Sequence, residues 1–298
     1  MLVINPLIDS WREFQTKLSE AANPPSLKPN RPFKHKVIQV NTEVENSNSL
    51  CQNQLNINQS SLQAQSIFKT INIEETVNLL RKDGFCLGIK LPQDFVKEIW
   101  KLVLSKPCYG NGDKRLEFYY FEKAAAETKY AKSFLRANYD NIADLCPAIK
   151  QIEIDPVLLK IATQYLEDEP LYQETKLLWR FPRESNIYQR RPGNQKFHYH
   201  LNNSRCLRFL FYLTNVDLCS NPHVCVRGSH LKKKFSHQFV RRVCLHEELK
   251  QYYGYENIVP ICGKAGFGFA EDPLCFHQGH PPGSKDRLTL QINFALKP

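Results

Sequence analysis

RLTLQINF, residues 287–294, alternates without a break. Successive side chains of a strand point to opposite faces. Leu288, Leu290, Ile292 and Phe294 therefore share one side, and Arg287, Thr289, Gln291 and Asn293 share the other. Four polar residues in line are costly against a dry core. Two arrangements accommodate them: a solvent-facing edge strand, or a strand whose polar face lines a polar cavity. In the second, Arg287 with the hydroxyl of Thr289 two residues on makes a carboxylate clamp, because a guanidinium bonds a carboxylate bidentately.

Working back from this stretch, the same texture starts near Leu177. LLWRF (177–181), KFHYHL (196–201), CLRFLFYLTNV (206–216), HVCVRG (223–228) and GFGFA (266–270) are short, aromatic or β-branched, and separated by Pro, Gly and Asn. Before them the periodicity is helical. IEETVNLLRKDGF (73–85) carries Val77, Leu79 and Leu80 and stops at Gly84. LPQDFVKEIWKLVL (91–104) sets Phe95, Ile99 and Val103 in step, and a helical stretch is expected through about Leu166. Helices first and strands later give an α+β class with an antiparallel barrel or sandwich. Upstream, Leu7, Trp11, Phe14 and Leu18 mark a short amphipathic helix over 6–19. The Asn-, Gln- and Ser-rich run 41–65 reads as a linker. The expected organisation is an extension over 1–70 and a folded domain over 71–298.

The 298 residues are 42% apolar, enough for a sizeable core, and no run approaches the roughly 20 apolar residues of a membrane span. The start is polar by Asp9, so no signal peptide is expected. Ten cysteines without one CxxC pair point to free thiols in a reducing cytoplasm and away from a zinc cluster. The net charge of +10 gathers in 190–196, 226–235 and 240–242. These runs carry no nucleic-acid-binding motif, and a basic rim that steers a small anionic substrate accounts for them.

FHYHLNN (197–203) places two imidazoles, His198 and His200, on one side of an extended chain, close enough to hold one metal ion. A third ligand is needed. DPLCFHQGHPP (272–282) offers His277, at the end of an apolar run, and His280, ahead of Pro-Pro on an exit loop. With His277 the site is built from two strands.

The order FHYH, then FLFYLTNVDLCSNPHVCVRGSH, then GKAGFGFAEDPLCFHQGHPPGSKDRLTLQINF resembles the phytanoyl-CoA dioxygenase-like branch of the iron(II)/2-oxoglutarate oxygenases, over roughly residues 72–298. DGFCLGIKLPQDFVKEI is similar to that family's helical opening. The resemblance implies a double-stranded β-helix, that is, a jelly-roll, cupin-like barrel with flanking N-terminal helices. It implies Fe(II) as cofactor, 2-oxoglutarate as cosubstrate, O2, and a small-molecule substrate whose unactivated C–H bond is hydroxylated, desaturated, cyclised or halogenated. His198 matches the first iron ligand and His277 the distal one. Arg287 matches the clamp for the far carboxylate of 2-oxoglutarate, with Thr289 as its hydroxyl partner, and Gln195 matches a polar position near the cosubstrate. The VRGSH stretch (226–230) matches as turn chemistry.

One position departs: where the family has Asp, this chain has His200. The usual two-histidine, one-carboxylate face leaves open positions for 2-oxoglutarate and oxygen. With His200 the protein supplies no anionic ligand. Three readings follow. All three histidines bind the metal, or His200 swings aside and leaves two, or oxygenase activity is lost and ligand binding is kept. A three-histidine oxygenase that needs no 2-oxoglutarate is a further alternative, and the Arg287–Thr289 pair speaks against it.

Overall fold

A computed structural model describes residues 65–170, 172–182, 196–200, 205–220, 222–235, 244–278 and 284–296. The expected helix over 6–19, the linker over 41–64, Gln195 and His280 lie outside the described residues. The elements run α1 (Ile73–Asp83), β1 (Phe85–Lys90), α2 (Gln93–Ser105), β2 (Cys108–Gly110), β3 (Glu117–Phe118), α3 (Lys123–Lys129), β4 (Arg136–Asn138), α4 (Ile142–Leu145), α5 (Pro147–Glu153) and α6 (Pro156–Leu166). The strand-rich half follows with β5 (Tyr172–Arg180), β6 (Lys196–Phe197), β7 (Cys206–Tyr212), β8 (His223–Val226), β9 (Cys244–Leu245), α7 (His246–Tyr253), β10 (Ile258–Ile261), β11 (Phe267–Glu271), β12 (His277–Gln278) and β13 (Arg287–Ala295).

The helix ends follow from their capping residues. Asn72 accepts a hydrogen bond from Glu75 N at 3.1 Å and starts α1. Gly84 ends it in the left-handed region, φ 81°. Asp155 caps α6 through Val157 N and also takes Ser66 Oγ at 2.8 Å, which ties the start of the described chain to this helix.

Eight strands form an antiparallel sheet in the order β1-β11-β7-β13-β5-β4-β2-β3. A second sheet, β10-β8-β12, faces it, and a bridge between His198 and His277 links it to the pair β6-β9. This is a mixed helix-and-sheet jelly-roll sandwich. β13 is central, paired with β5 on one side and β7 on the other. A solvent-facing edge strand is thereby excluded for RLTLQINF. The Leu288, Leu290, Ile292 and Phe294 face is almost fully buried. It shares its side of the sheet with Trp179 and Phe211, their register partners. The helical layer covers that side: Trp100 of α2 packs edge-on to Trp179 at 5.8 Å, and Phe68 stacks on Phe211 at 5.7 Å. The opposite side, with Leu210, Tyr212 and Phe269, packs against Cys225 and Ile261 of the second sheet.

The stretch expected to be helical through Leu166 is corrected by the structure. β2, β3 and β4 interrupt it and extend the large sheet beyond β5. Strands of two or three residues are too short to show a period of two. β1 and β10 also carry no sequence signal that was read: Gly88 breaks the first and Pro260 sits in the second. Among the described residues no helix is long and apolar enough to cross a membrane.

Leu290 lies between Leu177 and Phe211 in register, and all three are fully buried. Leu290→Ala should cost about 2–5 kcal/mol of stability, read by chemical denaturation. A loss under about 1 kcal/mol would show that this face is not the packed core.

Candidate metal and anion site

Alternation places the histidines. Phe197 and Tyr199 are buried on the outer side of the second sheet with Val226, Leu249, Ile258 and Phe276. That anchor turns His198 and His200 the other way, and the burial of Phe276 turns its neighbour His277 inward. His198 and His277 exchange backbone hydrogen bonds, at 3.0 and 2.8 Å, and His200 N donates to Pro273 O at 2.9 Å. The ring centroids of His198 and His277 stand 4.5 Å apart, those of His200 and His277 5.1 Å, and those of His198 and His200 5.4 Å. One ring nitrogen from each lies within 4.8 Å of the others. His277 is buried, His200 half-buried and His198 exposed.

The three imidazoles suit a divalent transition metal, for which neutral ring nitrogens are good ligands. His277 Nδ1 lies 2.9 Å from Cys275 O, and a neutral ring donates there and leaves Nε2 free to ligate. Burial holds His277 well below the ordinary imidazole range, so it is neutral at pH 7. His198 is lowered by partial desolvation, then by the charges of His223 and Arg208.

Behind His277 stands a carboxylate that the sequence reading missed. Glu271 is fully buried on β11. It accepts from Arg208 at 2.9 Å, meets His223 Nε2 at 2.6 Å and takes the Cys225 thiol at 3.2 Å. The His223 ring stacks on His277 with centroids 5.5 Å apart. Burial alone would raise Glu271, but its contacts with His223 and Arg208 hold it well below the usual carboxylate range. This network is legible only once β7, β8 and β11 are in register, since its members are scattered from 208 to 277.

Across the interior, Arg287 is 4% exposed and Thr289 7%. The Arg287 guanidinium lies 6.0 Å from the Tyr212 ring, and burial lowers its pKa. Among the described residues Thr289 Oγ1 is buried without a hydrogen-bond partner, as suits a hydroxyl that serves a ligand. The other two polar residues of β13 are used internally. Asn293 Oδ1 accepts from Arg208 Nε at 3.1 Å and from Gln291 Nε2 at 3.1 Å, and Asn293 Nδ2 donates to Glu174 at 3.2 Å. The polar face therefore divides into a buried Arg287–Thr289 half that turns toward the second sheet beside Tyr212 and a Gln291–Asn293 half that is satisfied within the protein. The turn 226–230 is structural: Ser229 Oγ donates to Val226 O and accepts from Phe276 N.

No protein-family model and no curated protein matches the chain. Solved structures do. One is the non-heme alpha ketoglutarate dependent carbocyclase SnoK from nogalamycin biosynthesis, with a TM-score of 0.50 and 15% identity, covering 78% of this chain and 86% of that one. Another is EvdO2 from Micromonospora carbonacea var. aurantiaca complexed with 2-oxoglutarate, with a TM-score of 0.50 and 12% identity, covering 78% of this chain and 94% of that one. At these identities the likeness shows the shared fold.

His277 binds a proton less readily folded than unfolded. Below the ordinary imidazole value of 6.5 the unfolded chain takes up a proton that the folded one refuses. Stability of the metal-free protein should be full at pH 7.5 and fall as pH drops below about 6.5, by up to about 1.4 kcal/mol per pH unit for that proton. Urea unfolding at pH 7.5 and 5.5 measures it. A flat or rising stability over that interval would contradict the buried, neutral state of His277.

Proposed function

We propose that this chain is a non-haem iron(II)- and 2-oxoglutarate-dependent oxygenase that oxidises an unactivated C–H bond of a small, anionic metabolite. The observation that carries the reading is one interior with two complementary halves, three converging imidazoles on the second sheet and a buried Arg287–Thr289 pair on the first. A 2-oxoglutarate-independent centre would have no use for the second half.

His198, His200 and His277 would hold the iron. Iron(II) with 2-oxoglutarate supplies the oxidising power: 2-oxoglutarate, O2 and R–H become succinate, CO2 and R–OH. Arg287 receives the far carboxylate bidentately, and Thr289 Oγ1 donates a hydrogen bond to it. Gln195, outside the described residues, is assigned a polar contact to the same cosubstrate. Tyr212, His223 and Glu271 exclude water behind the site and fix His277. Three neutral imidazoles leave the ion its whole double charge, which strengthens its attraction for the 2-oxoglutarate dianion. In the same reading 71–298 is the oxygenase domain, 1–70 an extension, and the location cytoplasmic, where free thiols persist. Cys86, Cys108, Cys146, Cys225 and Cys275 are free and buried.

Full-length protein with iron(II), ascorbate and oxygen should release succinate from 2-oxoglutarate, slowly without a substrate and faster with one. His277→Ala should lower metal affinity by more than about 100-fold, and His200→Asp should keep metal binding by restoring a carboxylate ligand. Arg287→Ala should lose about 2–5 kcal/mol of 2-oxoglutarate affinity at unchanged metal content, read by calorimetry. Unaltered 2-oxoglutarate affinity in Arg287→Ala, or wild-type metal affinity in His277→Ala, would remove the corresponding assignment.

A further inference from the structure

One cation in this interior has no task in the reaction just described. Arg180 ends β5. It stands directly opposite Arg287 on β13 and directly opposite Arg136 on β4. Cross-strand partners project from the same face, with Cα atoms about 4.5–5.5 Å apart. Three arginines from adjacent strands thus form a row, from exposed Arg136 through half-buried Arg180 to buried Arg287.

The row is electrostatically unfavourable as it stands. Like charges directly opposite each other in a sheet destabilise it. Burial pushes Arg180 down to about 10, aided by the neighbouring charges of Arg287 and Arg136. Other sheltered cations of this protein have carboxylates: Arg208 has Glu271 at 2.9 Å, and Lys123 has Glu127 at 2.9 Å. Among the described residues no carboxylate lies within salt-bridge reach of Arg180. As the cross-strand partner of Arg287, Arg180 lies on the sheet face that turns toward the second sheet, which carries the imidazoles. A sheltered, uncompensated guanidinium that weakens its own sheet is what a ligand site retains, at a cost in stability.

We propose that Arg180 is an anion-binding residue of this cavity, taking a carboxylate or phosphate group beside the one that Arg287 holds. This rests on the oxygenase reading for the identity of the Arg287 ligand. Two sources fit the chemistry: the far carboxylate of 2-oxoglutarate, shared between both guanidiniums, or an acidic group on the substrate itself.

The test uses full-length protein loaded with zinc(II), with Arg180→Gln and the charge-keeping Arg180→Lys. Calorimetry follows 2-oxoglutarate, and then inorganic sulfate added at saturating 2-oxoglutarate. Arg180→Gln should weaken one of the two by about tenfold or more, with Arg180→Lys intermediate. A loss on 2-oxoglutarate assigns Arg180 to the cosubstrate, and a loss on sulfate assigns it to the substrate's anion. Removing one of three like charges should also leave the ligand-free melting temperature of Arg180→Gln at or above that of wild type. Both affinities within about twofold of wild type would overturn the proposal. Arg287→Gln separates it from the oxygenase reading. Unchanged 2-oxoglutarate affinity there fails the oxygenase reading, while sulfate titrated without 2-oxoglutarate still reports on Arg180.

Discussion

The whole arrangement depends on β13 meeting two opposite environments at a period of two. Its apolar side fills the layer between sheet and helices, where Leu288, Leu290, Ile292 and Phe294 are almost fully buried. That burial fixes the register with β5 and β7, because a slip of one residue would drive Arg287 into the packed layer and Leu288 into the cavity. The register in turn sets what lines the interior. Arg287 comes opposite Arg180, Thr289 opposite Tyr212, and Asn293 opposite Arg208. The polar half of the site is a consequence of the apolar half of the core.

The second sheet uses the same device. Phe197, Tyr199 and Phe276 are buried on its outer side, and His198, His200 and His277 take the inner one. What distinguishes this interior is its charge. The three imidazoles bring no carboxylate with them, and the buried Glu271 is engaged by Arg208 and His223. Among the described residues, imidazoles of the second sheet and guanidiniums of the first share this interior. On the proposed reading such an interior receives anions, and the 2-oxoglutarate dianion meets that condition.

Much of this was legible in the sequence because it rests on local alternation. FHYH, LCFH and RLTLQINF each carry their own inside-outside pattern, and each is oriented as that pattern requires. The helix end at Gly84 was equally local. What escaped reading depends on register between distant strands. Arg180 is an ordinary arginine in LLWRF until β13 lies beside it, and Glu271 gains meaning only when β7 and β8 bring Arg208 and His223 to it. The strands β2, β3 and β4 were invisible for a different reason, since two or three residues cannot display a period and a run of helices surrounds them. Of the four polar residues on β13, the sequence singled out Arg287 and Thr289 but could not show what occupies the other two, because Asn293 bonds the distant Arg208 and Glu174 and holds Gln291.

The central claim is that the imidazoles of the second sheet and the arginine of the first act on one bound pair, metal and cosubstrate. Anaerobic mixing of the full-length protein with iron(II) and 2-oxoglutarate tests it most directly. When both ligands sit in this interior, 2-oxoglutarate chelates the iron and a weak visible metal-to-ligand charge-transfer absorption develops. The account predicts that the band saturates at one equivalent of each and is absent when either is omitted. A protein that binds iron(II) yet shows no band at saturating 2-oxoglutarate would contradict it.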